Sequence, residues 1–594
     1  MSFATRADRE EIEAEASWDD RPRPATMLRF LDDGVARHGD RPALTFRLLA
    51  DPNSKVTTWD WQTLRTRAVQ AANLFRSLGI GAEDRVALIL PNAPETAAAL
   101  LGGMIAGVVV PINPLLEPGQ IAALLRETGA KVVVTLKPFP KTDIAQRVAK
   151  ALVGAPQVRT LMEVDLLPHL AAPKSWVVGL MRPRLRVRHR AKVVEFDLTA
   201  QPTDLTFDDP DIDRVAACFH TGGTTGMPKL ALHRVSGMIY NGWVGRRLLF
   251  TAEDVILLPL PLFHVFAAYP ALMSAIASGA HVVMPTPAGY RGAGVFDALW
   301  RWVEAHRATY LFAVPTALSV LMQKKVDADI SSLRVVFSGS APLPAELFHR
   351  FKKVAGVEII EGYGLTESTC LIAANPPDGE KKVGSVGLPM PYTEVRVDTG
   401  REIHVRGPGT GGAWLATGDL GRLDGDGYLF ITGRAKDLII RGGHNIDPAD
   451  IEEALMAHPA VAMAGAIGQP DAHAGEVPCA YVELVAGGRT SGVALRAFAR
   501  DRIGERAALP RHIEIVDELP KTAVGKVFKP ELRRRAITRV LDAALDGTGS
   551  SVARVEEDAD RGLVARISPG TDRARAAEVL DTFTVAWAWD ESGR

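Results

Sequence analysis

Four apolar runs constrain how this chain can fold: RVALIL (85–90), VVVPI (108–112), KVVVT (131–135) and LRVVFSGSAPL (333–343). None alternates cleanly between apolar and polar residues, so each presents apolar side chains to both faces of its sheet. Strands of that kind belong to parallel sheets covered by helices on both sides. Helical segments lie between them. Leu64, Ala68, Ala71, Phe75 and Leu78 recur at helical spacing and stop at Gly79, a natural C-terminal cap. At 594 residues the chain is too long for one compact core, and at least two domains are expected. The expected class is α/β, with a large N-terminal domain of parallel-rich sheets flanked by helices.

Two long uncharged stretches, AAALLGGMIAGVVVPINPLL (97–116) and residues 255–287, have the length to span a bilayer. Gly102, Gly103, Gly107, Pro111 and Pro114 divide the first into a short helix, a turn and a strand, and proline and glycine punctuate the second. Both are read as buried core. The N-terminus, MSFATRADREEIEAEASWDD, lacks the apolar centre of a secretory signal. A net charge of -1 gives no global pull toward nucleic acid or acidic partners. Cys218, Cys370 and Cys479 lie far apart and in no CxxC spacing. That argues against a disulfide framework or thiolate metal site and suits a reducing cytoplasm.

Near residue 400 the pattern changes. TEVRVDTGREIHVRGPG (393–409) and GRLDGDGYLFITGR (421–434) read as short strands joined by Gly- and Asp-rich turns, a small β-barrel-like part. GRAKDLIIRGGHNIDPADIEEAL (433–455) then opens a new αβ segment. The expected division is a large domain over 1–433, a smaller mobile α+β domain over 434–545 hinged at 434–437, and an αβ appendage over 546–594. In the appendage SVARVEEDADRGLVARI reads as a hairpin and TDRARAAEVLDTF as a helix. KSWVVGLMRPRLRVRHRAK (174–192) sets Trp176, Leu180 and Met181 beside a dense run of arginines. It reads either as a solvated surface insertion or as a contact with anionic lipid headgroups or an acidic partner.

The stretch FHTGGTTGMPKLALHR (219–234) places three glycines, three threonines and one lysine between Thr221 and Lys229. Consecutive glycines let backbone N–H groups converge on an anion, and threonine hydroxyls add donors. The loop of form GxxxxGK[ST] is excluded, because Met227 and Pro228 separate Gly226 from Lys229 and Leu230 follows it. Taken alone, the stretch is equally an anion site or a mere turn. Three further motifs follow: EGYGLTEST (361–369), ATGDLGRLDGDGYLFITGRAKD (416–437) and LPKTAVGKVFKPELR (519–533).

These four motifs, in this order, resemble the adenylate-forming superfamily: acyl-CoA synthetases, luciferase-like enzymes and peptide-synthetase adenylation domains. The resemblance covers roughly residues 25–540. It implies ATP, Mg²⁺ and coenzyme A. A carboxylate attacks the α-phosphorus of ATP, releasing pyrophosphate, and a thiol then attacks the acyl carbon, releasing AMP. The same resemblance implies roles for individual residues. Thr221, Gly222, Gly223, Thr224, Thr225, Gly226 and Lys229 would hold the β- and γ-phosphates. Gly339, Ser340, Ala341, Glu361, Gly362, Tyr363 and Gly364 would enclose adenine, with Ile431 beside the nucleotide. Thr366 would bond the α-phosphate, and Glu367 with Thr221 would serve the metal. Asp419 would accept from the ribose hydroxyls and Arg434 would donate nearby. Lys526 would bridge carboxylate and α-phosphate in catalysis. Lys436 would sit at the hinge, Arg441, Gly442 and Gly443 would line the pantetheine path, and His264 would gate the acyl pocket.

The resemblance thins between Pro389 and Trp414, where RGPGTGGAW replaces a longer loop-helix and puts the packing near Asp419 in question. The corresponding substrate region, FHVFAAYPAL, lacks the carboxylate that would pair an amino-acid ammonium, so an uncharged acyl tail is favoured. Val265, Phe266, Ala313, Val314, Gly339 and Leu365 are the expected wall. This fits a fatty acid of medium or long chain, with aryl and alicyclic acids open. Coenzyme A is the expected acceptor because no carrier-protein pattern follows on the chain. A carrier supplied in trans and a catalytically silent nucleotide- or acyl-binding regulator are the rivals. No nucleic-acid partner is expected; monomer and homodimer both stand. The expected location is cytoplasmic, with peripheral membrane contact through 174–192 as the alternative reading of that segment.

Overall fold

The computed structural model describes residues 3–51, 53–185, 187–221, 229–558 and 561–591. Two large sheets organise the first part of the chain. One has seven strands in the order Lys192–Glu195, Thr160–Val164, Val132–Leu136, Arg85–Ile89, Val108–Pro111, Val215–His220 and Leu230–Arg234. All its pairs are parallel except the last, which is antiparallel and flanks the Gly/Thr loop. The other has nine strands, with a parallel centre running from Pro42–Arg47 to Glu358–Leu365. The apolar runs thus lie in parallel strands, as their lack of alternation requires.

The stretch 97–116 is a helix, Pro94–Ala106, buried along its whole length, followed by the strand Val108–Pro111. Gly102 lets it press onto helix Trp61–Ser77: a Cβ there would stand 2.5 Å from Cβ of Ala71 and 2.7 Å from the Ala68 carbonyl. Among the described residues no helix is long and apolar enough to cross a membrane. The helix Trp61–Ser77 starts where the Asp60 carboxylate accepts from Thr63 N–H at 2.6 Å.

The portion expected to be barrel-like is a four-stranded antiparallel sheet, Glu394–Val397, Glu402–Arg406, Leu415–Leu423 and Leu429–Arg434. Its first and last strands do not pair with each other, so the sheet stays open. RGPGTGGAW forms a tight turn closed by Thr410 and Gly412 N–H groups on the Gly407 carbonyl, at 3.0 Å each. A five-stranded sheet follows, built on the long pair Val461–Asp471 and Gly475–Leu484. The appendage forms the hairpin and helix read from the sequence, plus a third strand, Ala586–Trp589, parallel to Gly562–Ser568. It packs Ala565, Ile567, Ala576 and Leu580 against Ile537 and Leu541 of helix Lys529–Ala544.

Candidate active site

Three strands converge on one carboxylate. Antiparallel register sets Asp419 opposite Arg434, and Arg434 Nε donates to Asp419 Oδ1 at 2.7 Å. From the end of the nine-stranded sheet, the Tyr363 hydroxyl donates to Asp419 Oδ2 at 2.6 Å. The Asp419 side chain is 5% exposed, so the carboxylate accepts in a poorly hydrated setting although the Arg434 side chain is 49% exposed. The Thr417 hydroxyl donates to the Ile403 carbonyl at 2.7 Å and accepts from Asp419 N–H at 3.1 Å, fixing the backbone that carries the carboxylate. An ionised carboxylate has about four lone-pair positions. Two are used here, leaving acceptor capacity for a pair of neighbouring hydroxyls.

The Gly/Thr loop leaves strand Val215–His220 and returns in Leu230–Arg234, closed at its base by Thr221 N–H donating to the Lys229 carbonyl at 2.7 Å. Gly222, Gly223, Thr224, Thr225 and Gly226 lie outside the described residues. Lys229 is exposed and Thr221 half-buried at its two ends. Sequence reasoning did not single out His233, which ties this strand pair to the next motif. Its Nε2 donates to the Thr366 carbonyl at 2.7 Å, so Nδ1 accepts from the Tyr269 hydroxyl, also at 2.7 Å. Burial pushes the His233 imidazole down to about 4, keeping it neutral. The only outward signal was a histidine at an inward-facing position of an edge strand.

Gly339, Ser340 and Ala341 follow strand Val335–Gly339, whose parallel register sets Gly339 beside Gly362. Ser340 has φ of 72°, a left-handed conformation uncommon outside glycine. The Glu361 carboxyl, grouped with the adenine-contacting residues from sequence, is instead buried and accepts from Leu343 N–H at 3.0 Å. Burial raises it to about 8, so this carboxyl props the 340–343 loop from beneath. Gly364 packs on the Cys370 backbone, and Ile431 lies half-buried on the strand that carries Arg434. Thr366, Glu367 and Ser368 form one turn, with the Glu367 side chain exposed.

Lys526 enters this site from the far end of the chain. Its turn is closed by Thr522 N–H on the Lys526 carbonyl at 2.7 Å and by Lys526 N–H on the Thr522 hydroxyl at 3.1 Å. The preceding Gly525 has φ of 84°, and its carbonyl accepts from the Thr316 hydroxyl on helix Pro315–Leu321. A Cβ on Gly525 would stand 3.0 Å from Cγ2 of Val314. Burial, reinforced by the neighbouring Arg434 cation and opposed by Asp419 and Glu367, lowers the Lys526 ammonium to about 8. His264 feels Lys526 in turn. Burial first, then the Lys526 and His220 charges, take its imidazole down to about 3.

Phe266 packs with Phe312 and Phe337 at centroid distances of 5.3 and 5.9 Å. A Cβ on Gly339 would come within 3.2 Å of the Phe266 ring, so glycine there brings the 339–341 segment directly against the aromatic cluster. Val265 and Val314 are buried and Leu365 half-buried. Ala313 corrects the expected wall. Strand alternation sends Phe312 and Val314 into one core cluster and Ala313 into the other, facing away from Phe266.

Lys436 is exposed in the turn between the last strand of the four-stranded sheet and Ile439–Arg441, where Asp437 N–H donates to the Arg434 carbonyl at 3.0 Å. Arg441 donates to the Ala507 carbonyl, and Gly442 and Gly443 are exposed with open space where a Cβ would lie. The arrangement therefore brings Lys526 in and leaves 441–443 at the surface.

Comparison with known proteins places these features. The family described as AMP-binding enzyme matches residues 31–418, and the AMP-binding enzyme C-terminal domain matches 450–526. Marinolic acid–CoA ligase of Pseudoalteromonas sp. (strain SANK 73390) is 34% identical over 562 residues, covering 88% of this chain and 83% of that protein. Long-chain-fatty-acid–CoA ligase of Bacillus subtilis (strain 168) is 32% identical over 557 residues, covering 85% and 94%. The crystal structure of the anthranilate CoA ligase AuaEII in complex with anthranoyl-AMP shares the fold, with a TM-score of 0.74 at 24% identity, covering 88% of this chain and 99% of that one. The chain belongs to the AMP-binding, adenylate-forming enzymes, of the acyl-CoA synthetase type.

Proposed function

We propose that this enzyme joins a carboxylic acid to AMP and then transfers the acyl group to coenzyme A, releasing AMP. The observation that carries the reading is the placement of Lys526 within electrostatic reach of the Tyr363–Asp419–Arg434 cluster, segments far apart in sequence. The two free acceptor positions of Asp419 suit the vicinal hydroxyls of a ribose. Thr366 then lies on the phosphate side, tied through His233 to the strand that follows Lys229. Lys526 supplies a half-buried positive charge where carboxylate and α-phosphate, both anionic, would approach. The carboxylate oxygen forms a bond to the α-phosphorus as the bond to pyrophosphate breaks. Glu367, whose exposed carboxylate is the kind of hard oxygen donor magnesium prefers, would be the residue that holds it. When bound, it would neutralise charge on the phosphate oxygens. For the second step, the domain over 434–545 would swing about Lys436 and carry Arg441, Gly442 and Gly443 to the pantetheine path. The first half-reaction is the one this arrangement serves.

Val265, Phe266, Val314 and the Phe312–Phe337 pair form one buried apolar cluster, with no carboxylate among them to hold an amine. A fatty acid of medium or long chain is therefore the proposed substrate. A panel of defined acids with ATP and either CoA or a holo-carrier, followed by pyrophosphate and AMP release, tests this. Turnover should be highest for unbranched acids of medium or long chain with CoA as acceptor. Preference for short, charged or aryl acids would overturn the substrate, and preference for the carrier would overturn the acceptor.

The lysine also predicts a pH profile. Its ammonium is charged below about 8 and loses its proton above it. Carboxylate-dependent kcat/KM for ATP–pyrophosphate exchange should fall as pH rises through about 8, since this parameter reports the free enzyme. Bound anions favour the charged lysine, so kcat should fall only at higher pH. Lys526→Arg should remove the decline in kcat/KM; its persistence would assign the titration elsewhere.

A further inference from the structure

We propose that the apolar face of helix Lys174–Leu180, with the cations that follow it, docks this protein onto a bilayer surface rich in anionic phospholipid. Trp176, Val177, Leu180 and Met181 are 71%, 52%, 89% and 64% exposed, and no residue of the helix is buried. Positions 176 and 180, like 177 and 181, are four residues apart, so the four side chains share one face. Single exposed apolar residues are ordinary; a contiguous cluster of this kind marks an interaction surface. The helix is nonetheless held firmly. Val178 packs against the main core, and Arg182 Nη2 donates to both oxygens of Asp165 at 2.6 Å.

Charge selects the occupant. The segment 174–192 contains seven Lys and Arg and no Asp or Glu, within a chain of net charge -1. Lys174, Arg184, Arg188, Arg190 and Lys192 are exposed. Arginine and lysine stems can lie along the membrane while their heads meet phosphates, and tryptophan suits the headgroup boundary. A second copy meeting through the same patch would set two cationic segments against each other. The segment leads into Lys192–Glu195, one edge of the seven-stranded sheet, while the Gly/Thr loop springs from strands at the opposite side. Docking at this edge leaves the catalytic face open.

Co-sedimentation of the full chain with vesicles tests the proposal, using phosphatidylcholine alone and phosphatidylcholine with about one third phosphatidylglycerol. Partition to the anionic vesicles should be at least about tenfold stronger and should weaken as salt is raised. Trp176→Ser with Leu180→Ser should reduce it about tenfold, and Arg184→Glu with Arg188→Glu should remove the preference for anionic lipid. Both pairs lie outside the catalytic machinery, so ATP–pyrophosphate exchange in solution should be unchanged and reports correct folding. Equal partition to both vesicles, serine variants that sediment like the wild type, or patch-dependent dimers without vesicle binding would each overturn the proposal.

Discussion

Lys526→Ala should lower carboxylate-dependent ATP–pyrophosphate exchange by at least about a thousandfold, while thioester formation from supplied acyl-adenylate falls less than about tenfold. The asymmetry follows from where the charge is needed. In the first half-reaction two anions must come within bonding distance, and the Lys526 ammonium sits in a half-buried setting that strengthens its field. In the second, the acyl–phosphate bond already exists and the attacking thiol needs no such bridge. Loss of the aliphatic stem is a separate effect. Lys526→Met keeps most of the stem and removes the charge; it should match alanine in exchange. Thr316→Val, which deletes the hydroxyl donating to the Gly525 carbonyl, should loosen the docked turn and reduce exchange about three- to tenfold without altering the pH dependence. Equal loss of both half-reactions in Lys526→Ala would remove the lysine from its assigned step.

Much of this architecture was legible because burial writes itself plainly into parallel strands. RVALIL and KVVVT pair side by side as Arg85–Ile89 and Val132–Leu136, and the glycine- and proline-broken stretch at 97–116 became helix and strand as its punctuation required. The hairpin and helix of the appendage were visible for the same reason, through alternation and helical spacing. Its third strand was not: Ala586–Trp589 is short, half-exposed and paired to a strand earlier in the chain, so little in its local pattern marks it.

The site divided along a similar line. Tyr363, Asp419 and Arg434 are named through the motifs that carry the resemblance, and they do touch. What escaped were residues whose role depends on facing. Ala313 neighbours Val314 in sequence yet points into the opposite layer, because successive strand residues alternate. Glu361 sits within a nucleotide-like motif, but its carboxyl turns inward to the Leu343 N–H. His233 emerged only when the fold brought Tyr269 and Thr366 to either side of its ring. Such distinctions depend on three-dimensional register, which a motif does not contain.

Asp419→Ala should weaken ATP binding about a hundredfold and also erase the preference for ATP over its 2′-deoxy analogue. A hydrogen bond to a charged acceptor contributes about 1.5–3 kcal/mol, so losing the bonds to both ribose hydroxyls accounts for a change of at least that size. Part of the loss comes from the protein itself. Without the carboxylate, the Arg434 guanidinium and the Tyr363 hydroxyl lose the acceptor that fixes them, and the guanidinium stays charged with no counter-ion at that point. The two contributions separate with Asp419→Asn. The amide keeps one acceptor oxygen and a similar shape but adds donors facing Arg434, so orientation suffers more than volume. Asparagine should therefore bind ATP better than alanine yet still discriminate poorly against 2′-deoxy-ATP. Measuring both nucleotides by calorimetry in wild type and the two variants resolves the assignment. If Asp419→Ala lowered affinity for ATP and 2′-deoxy-ATP by the same factor, leaving their ratio intact, the carboxylate would only be bracing Tyr363 and Arg434, and the ribose would have to be recognised elsewhere.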